Sequence, residues 1–400
     1  MTAVAICIAV LLNTAPAHAG IGDRLFRQMH RERVVNKKMK TMTTRQKVAQ
    51  LIMAATEVKY VPGEPGILDT LVGQEQIGGF MILRKDSLKT AAGLTEHLQS
   101  ISRDPLLVSI DGEWGMAMRI YDYPAFPRQE YLGHLDDEDM VYRMGRSVAE
   151  EMKNFGVAIN CAPVIDVNNN PDNTVIGTRS FSDDPEVVSR LGIAYMKGMM
   201  DGGVIPCVKH FPGHGDTSVD SHKALPVIPH SRERLDSIEL RPFRDAIAAG
   251  APMVMVGHLS VPALDPSGVP ASISEKIIKG VLKEELGFRG LVITDALNMS
   301  GVLDFCDGSG PKAALAAYKA GVDILLMPVD PVGCIDLIES AVLSGEVDID
   351  DLNARVRRIL ELKADLGMFD RGYRRSTPLE EMDPNISAGL VEEINELVNS

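Results

Sequence analysis

The sequence predicts an α/β chain folded as one (β/α)8 barrel of the TIM type, a single catalytic domain. Three observations carry that expectation. Eight short apolar runs recur along the 400 residues, amphipathic segments separate them, and polar residues gather where the runs end. Runs without polar alternation suit strands buried on both faces of a parallel sheet. A barrel of this kind collects its chemistry where strands end and loops begin.

Taken in order, the runs occupy residues 48–55, 78–83, 105–111, 157–167, 206–212, 252–259, 290–297 and 322–328. Segments 137–156 (DEDMVYRMGRSVAEEMKNFG) and 231–250 (SRERLDSIELRPFRDAIAAG) read as amphipathic helices, each ending on a glycine that suits a helix C-terminus. All eight runs fall in residues 42–370, the expected barrel domain, whose roughly 330 residues lie inside the range of that fold. A doubly wound open sheet is the competing architecture, but no GxGxxG follows any run.

Before the barrel, residues 1–20 read MTAVAICIAVLLNTAPAHAG, with an apolar stretch from Ala3 to Leu12 too short to cross a bilayer. Ala17-His18-Ala19 is a small-x-small cleavage pattern, so residues 1–19 are expected to be a signal peptide and the product periplasmic or secreted. Without such a signal it would be cytoplasmic. Residues 20–41 are expected to form a basic helix, its charges a solvated face. The tail, 371–400, ends in an amphipathic pattern (LVEEINELVNS) expected to pack on the barrel. A hydrophobic content of 45% supports a large core, and a net charge of −14 argues against nucleic acid or an anionic membrane as partner. No stable membrane insertion is expected. Once Cys7 leaves with the signal, Cys161, Cys207, Cys306 and Cys334 stand in or near apolar runs without CxxC spacing, as buried free thiols do.

The densest chemistry lies in KHFPGHGDTSVDSH, residues 209–222. It reads as a metal cage, a plain surface loop or a mobile catalytic loop. His210 and His214 would share a helix face, but Pro212 and Gly213 between them forbid that helix, and no HExxH occurs. A catalytic loop needs a histidine, which titrates near neutrality, and a carboxylate to orient it. Asp220 and His222 supply that pair two residues apart, on one side of an extended segment. Gly213 and Gly215 would let the loop swing over a substrate. Asp111, Asp166, Lys209, His210, His258 and Asp295 all fall at or just past the end of a run. Asp295 is either a helix cap or a nucleophile or base. Glycines 112 and 115 beside Asp111 would let the backbone approach a ligand, and Trp114, the only tryptophan, is a sugar platform or a buried anchor.

Together these motifs resemble glycoside hydrolase family three, in particular its single-barrel β-N-acetylglucosaminidases. The resemblance rests on KHFPGHG…DSH, with VIGTRSF (175–181), CAPVIDV and ITDALNM at matching spacing, and it runs from about residue 42 to 369. It implies a retaining, exo-acting enzyme that removes terminal β-linked N-acetylglucosamine from peptidoglycan- or chitin-derived oligosaccharides. Asp295 would be the nucleophile, His222 the acid/base and Asp220 its partner. Asp111, Arg119, Arg179, Lys209 and His210 would hold the sugar. No cofactor and no metal are implied; the partner is a carbohydrate substrate. Two departures stand out: DGEWGMAMR carries Trp114 and Met116 where small or polar residues are common, and Ala296 replaces a second acidic residue. Other readings are a β-glucosidase or related exo-glycosidase, a phosphorylase variant, a catalytically silent sugar-binding barrel, and a metal-dependent hydrolase.

Overall fold

The computed structural model describes residues 21–56, 66–217 and 224–399. Eight parallel strands form in the eight apolar runs: β1 (Ile52–Ala55), β2 (Gly79–Ile82), β3 (Leu107–Ile110), β4 (Ile159–Asn160), β5 (Ile205–Phe211), β6 (Met253–Val256), β7 (Leu291–Thr294) and β8 (Leu325–Leu326). Hydrogen bonding runs in the order β7-β6-β5-β4-β3-β2-β1-β8. A parallel bridge from Ile293 to Ile324 brings the two ends together, reinforced by the Thr294 N–H donating to the Ile324 carbonyl at 3.1 Å. The barrel predicted from unalternating apolar runs is the observed architecture. Nearly every strand residue is buried, because helices cover the outside and side chains fill the inside.

Helix Glu138–Phe155 matches its predicted segment. Asp137 accepts from the Met140 N–H at 3.0 Å at its start, and Gly156, at φ +103°, closes its end. Segment 231–250 does not form one helix. It splits into Arg232–Ser237 and Arg241–Ala248, with Pro242 in the first turn of the second. Proline has no N–H to donate backwards and disfavours helical geometry in the residue before it, so it starts a helix more readily than it continues one.

Helix Ile21–Thr41 packs on helix Ile349–Asp365, and Arg31 pairs with Asp365 at 3.0 Å. At the other end of the chain, helix Ala388–Asn399 packs on helices Gln129–Leu135 and Glu138–Phe155. Val391 and Ile394 are buried there, and Arg143 forks onto Glu393 at 2.8 and 2.7 Å. The four cysteines in the described residues are buried free thiols. Residues 1–19, with the expected signal, lie outside the described residues. Among those described, no helix is long and apolar enough to cross a membrane.

Candidate active site

A cavity of about 450 Å³ opens at the C-terminal edge of the strands. Asp111, Arg119, Arg179, Lys209, His210 and Asp295 all line it, beside Glu113, His214, Asn298 and five methionines. Asp111 follows β3 directly, Lys209 and His210 close β5, and Asp295 follows β7. Asp220 and His222 lie outside the described residues.

One side of the cavity is a network of paired charges. Lys209 Nζ donates to Asp111 Oδ1 and to Glu113 Oε1, both at 2.8 Å. Arg119 Nη2 donates to Asp111 Oδ2 at 2.7 Å. Arg179 forks onto Glu113 through Nε (2.9 Å) and Nη2 (2.8 Å). Such bidentate pairs fix geometry as well as charge. Burial alone would raise Asp111 and Glu113, but Lys209 with Arg119, and Arg179 with Lys209, hold the two carboxyls below their usual range. The converse applies to Lys209: burial would lower it, and Asp111 and Glu113 hold it well above the ordinary lysine value. These groups are therefore charged at neutral pH and stand as fixed donors and acceptors on the cavity wall.

Asp295 lines the same cavity. Its backbone N–H bonds to the Val256 carbonyl at 2.9 Å, and its Oδ1 accepts from the Ala296 N–H at 2.8 Å. Burial would raise its pKa, but the imidazoles of His210 and His258 and the Ala296 N–H outweigh it and lower the group to about 2. An ionised carboxylate lining a cavity can act as a nucleophile. His258 is held by Ser272 Oγ at 2.6 Å and by the Ala296 carbonyl at 2.9 Å. A carbonyl only accepts, so His258 Nε2 carries a proton.

Three contributors were not among the site residues expected from sequence. Glu113 joins Lys209 to Arg179; its signal was its place within DGEWGMAMR. Asp166, fully buried, accepts from His210 Nδ1 at 2.7 Å, orienting that ring, and from the His214 backbone N–H at 2.7 Å, while the His214 ring meets Thr217 Oγ1 at 2.8 Å. It and His258 stood at run ends without an assigned role. Two glycine expectations need correction. Gly115, at φ +87°, faces the protein's own Glu151, and a Cβ there would come within 2.9 Å of Oε2. Gly215 lies against the Val167 carbonyl, which a Cβ would meet at 1.7 Å. Both positions answer to close packing inside the chain. Trp114 does not line the Asp295 cavity; its ring stacks 4.2 Å from the Arg128 guanidinium.

His210 and His214 form no ligand pair on a helix, since His210 belongs to β5 and His214 to the turn after it. Elsewhere in that loop region Asp216, His230 and Glu239 bring three potential ligand atoms within 4.8 Å of one another. Arg234 Nη2 already contacts Asp216 Oδ2 at 3.3 Å and Glu239 Oε1 at 3.4 Å, so a guanidinium supplies positive charge there.

The chain belongs to glycosyl hydrolase family 3: residues 43–362 match the model described as the glycosyl hydrolase family 3 N terminal domain. It is 34% identical over 337 residues to beta-hexosaminidase A of Pseudoalteromonas piscicida, covering 76% of this chain and 56% of that protein. The match thus spans little more than half of that relative. Among solved structures it is similar to a family 3 β-N-acetylglucosaminidase from Paenibacillus sp. str. FPU-7, with 36% identity and a TM-score of 0.80, covering 89% of this chain and 69% of that one. It is also similar to a beta-glucoside phosphorylase, BglX, bound to 2FGlc, with 26% identity and a TM-score of 0.84, covering 91% and 66%.

Proposed function

We propose that the chain is an exo-acting, retaining β-N-acetylglucosaminidase, exported from the cell, acting on short β-linked sugars derived from peptidoglycan or chitin. The observation that carries this reading is Asp295, ionised at the end of β7, sharing one cavity with the Asp111–Lys209–Glu113–Arg179 network. In the first displacement an Asp295 oxygen attacks the anomeric carbon. The bond to the leaving oxygen breaks, and that oxygen takes a proton from the His222 imidazolium, which Asp220 orients. In the second, water gives a proton to His222 and attacks the anomeric carbon, releasing Asp295 as carboxylate. Asp111, Arg119, Arg179, Lys209 and His210 hold the hydroxyls so that the carbon meets Asp295 in line.

A second reading, phosphorolysis, is favoured by the likeness to a β-glucoside phosphorylase: phosphate would replace water in the second step and yield the sugar 1-phosphate. The test is release of p-nitrophenol from the β-N-acetylglucosaminide and the β-glucoside by wild type, Asp295→Asn and His222→Ala, with and without phosphate. Turnover of the N-acetyl substrate that Asp295→Asn abolishes supports the proposal. A glucoside preference, or activity surviving in Asp295→Asn, overturns it, and sugar 1-phosphate as the product selects the second reading.

A further inference from the structure

Two residues on either side of the DSH segment meet. Asp216 Oδ2 and His230 Nε2 lie 2.6 Å apart although 14 positions separate them, and the sequence between includes Asp220 and His222. Each end is anchored to the barrel. On the near side the His214 N–H bonds to Asp166 and Gly215 presses on the Val167 carbonyl. On the far side the Ile228 N–H donates to the Ser260 carbonyl at 2.8 Å, and the Ser260 N–H donates back to Pro226 at 2.8 Å. Behind the pair, Arg234 reaches both Asp216 and Glu239, and Glu239 is 3% exposed. None of these four lines the Asp295 cavity.

We propose that Asp216 and His230, backed by Arg234 and Glu239, are positioning residues that clasp the neck of the loop bearing the acid/base. The inference rests on the reading of His222 as that acid/base. Anchored ends restrict where the intervening residues reach, because the conformations open to a loop grow with its free length. A proton donor must sit within hydrogen-bond reach of the leaving oxygen, and a displacement of about 1 Å can cost about 10²-fold in rate. Opening the clasp therefore weakens proton transfer while leaving Asp295 and the sugar-binding network in place.

Leaving-group dependence isolates that effect. A 2,4-dinitrophenolate departs without a proton, whereas an alkoxide does not. For Asp216→Asn and His230→Ala, kcat/KM on the methyl β-N-acetylglucosaminide should fall about 30-fold and on the 2,4-dinitrophenyl analogue less than about 3-fold. With the activated substrate kcat should also fall, because water loses its base. Azide should restore it, since azide attacks the anomeric carbon and expels the Asp295 carboxylate with no proton to move, giving the β-glycosyl azide. His230→Gln, which keeps a donor towards Asp216, should recover part of the loss. Should His230→Ala fail to fold, Asp216→Asn carries the same comparison with side-chain volume unchanged. Equal losses on both substrates, or none, would overturn the clasp. His222→Ala run alongside separates the two claims: if it discriminates leaving groups and the clasp variants do not, only the clasp falls. If His222→Ala does not discriminate either, the acid/base reading fails and takes the clasp with it.

Discussion

At the residue scale, the site works through charges held where solvent cannot screen them. Asp295 is lowered to about 2, so it is ionised at neutral pH and well into the acid range. Two outcomes follow for catalysis. Asp295→Asn should lower kcat at least about 10³-fold, and the acid limb of kcat/KM in wild type should report another group. Glu113 sits beneath both Lys209 and Arg179, and removing one partner of a buried ion pair costs about 3–5 kcal/mol. Glu113→Gln should lose stability of that order in urea unfolding at pH 7 and raise KM. Its carboxyl is depressed, so its contribution is complete above the unfolded value of 4.5 and is lost as pH falls below it. The stability gap between wild type and Glu113→Gln should therefore narrow in acid.

At the element scale, strand ends place the chemistry and loops connect it to distant parts. Glu151 on helix Glu138–Phe155 shows the connection. Its Oε2 accepts from the Met116 N–H at 2.9 Å, in the loop between Asp111 and Arg119, and its Oε1 accepts from Ser387 Oγ in the tail. Gly215 marks another tight junction, and a methyl there overlaps backbone that cannot rotate away. Gly215→Ala should cost about 3 kcal/mol, within the range for overpacked sites, with a matching fall in the urea midpoint. Element positions were legible in the sequence because apolar runs without alternation leave little choice but buried parallel strands. The break at Pro242 was equally visible as a residue, yet the glycine after Ala249 suggested one continuous helix. The purposes of Gly115 and Gly215 were not legible, since a glycine in sequence does not say whether a ligand or the chain's own backbone stands beside it.

At the scale of the whole molecule, two buried ionisable groups shape stability in opposite windows. Burial raises Glu151 to about 7, against the hydrogen bonds from Met116 and Ser387 that favour its charged form. The folded state then holds a proton that the unfolded state has released, so stability falls as pH rises from 4.5 to about 7. Burial lowers Lys363 to about 7, so between there and 10.5 the unfolded state binds the extra proton and stability rises. Their joint contribution has its minimum near pH 7. Glu151→Gln should remove the acid-side slope and be more stable than wild type at pH 8, by up to roughly 3 kcal/mol, as thermal unfolding across pH would show. That the run-end residues Asp111, Lys209, His210 and Asp295 would gather at one place was legible at this scale too, and they line one cavity. Glu113 was missed, and Asp166 and His258, though read at run ends, had no role assigned, because these roles come from what the barrel brings beside each residue.

The proposed mechanism turns on a covalent bond between Asp295 and the anomeric carbon. Its most direct test is intact-protein mass spectrometry after incubation with the 5-fluoro derivative of an activated β-N-acetylglucosaminide, followed by peptide mapping. The mass should increase by one fluorinated N-acetylglucosaminyl group, carried by the peptide containing Asp295 and absent from Asp295→Asn. Turnover of the N-acetyl substrate with no adduct, or with the adduct on another residue, would contradict it.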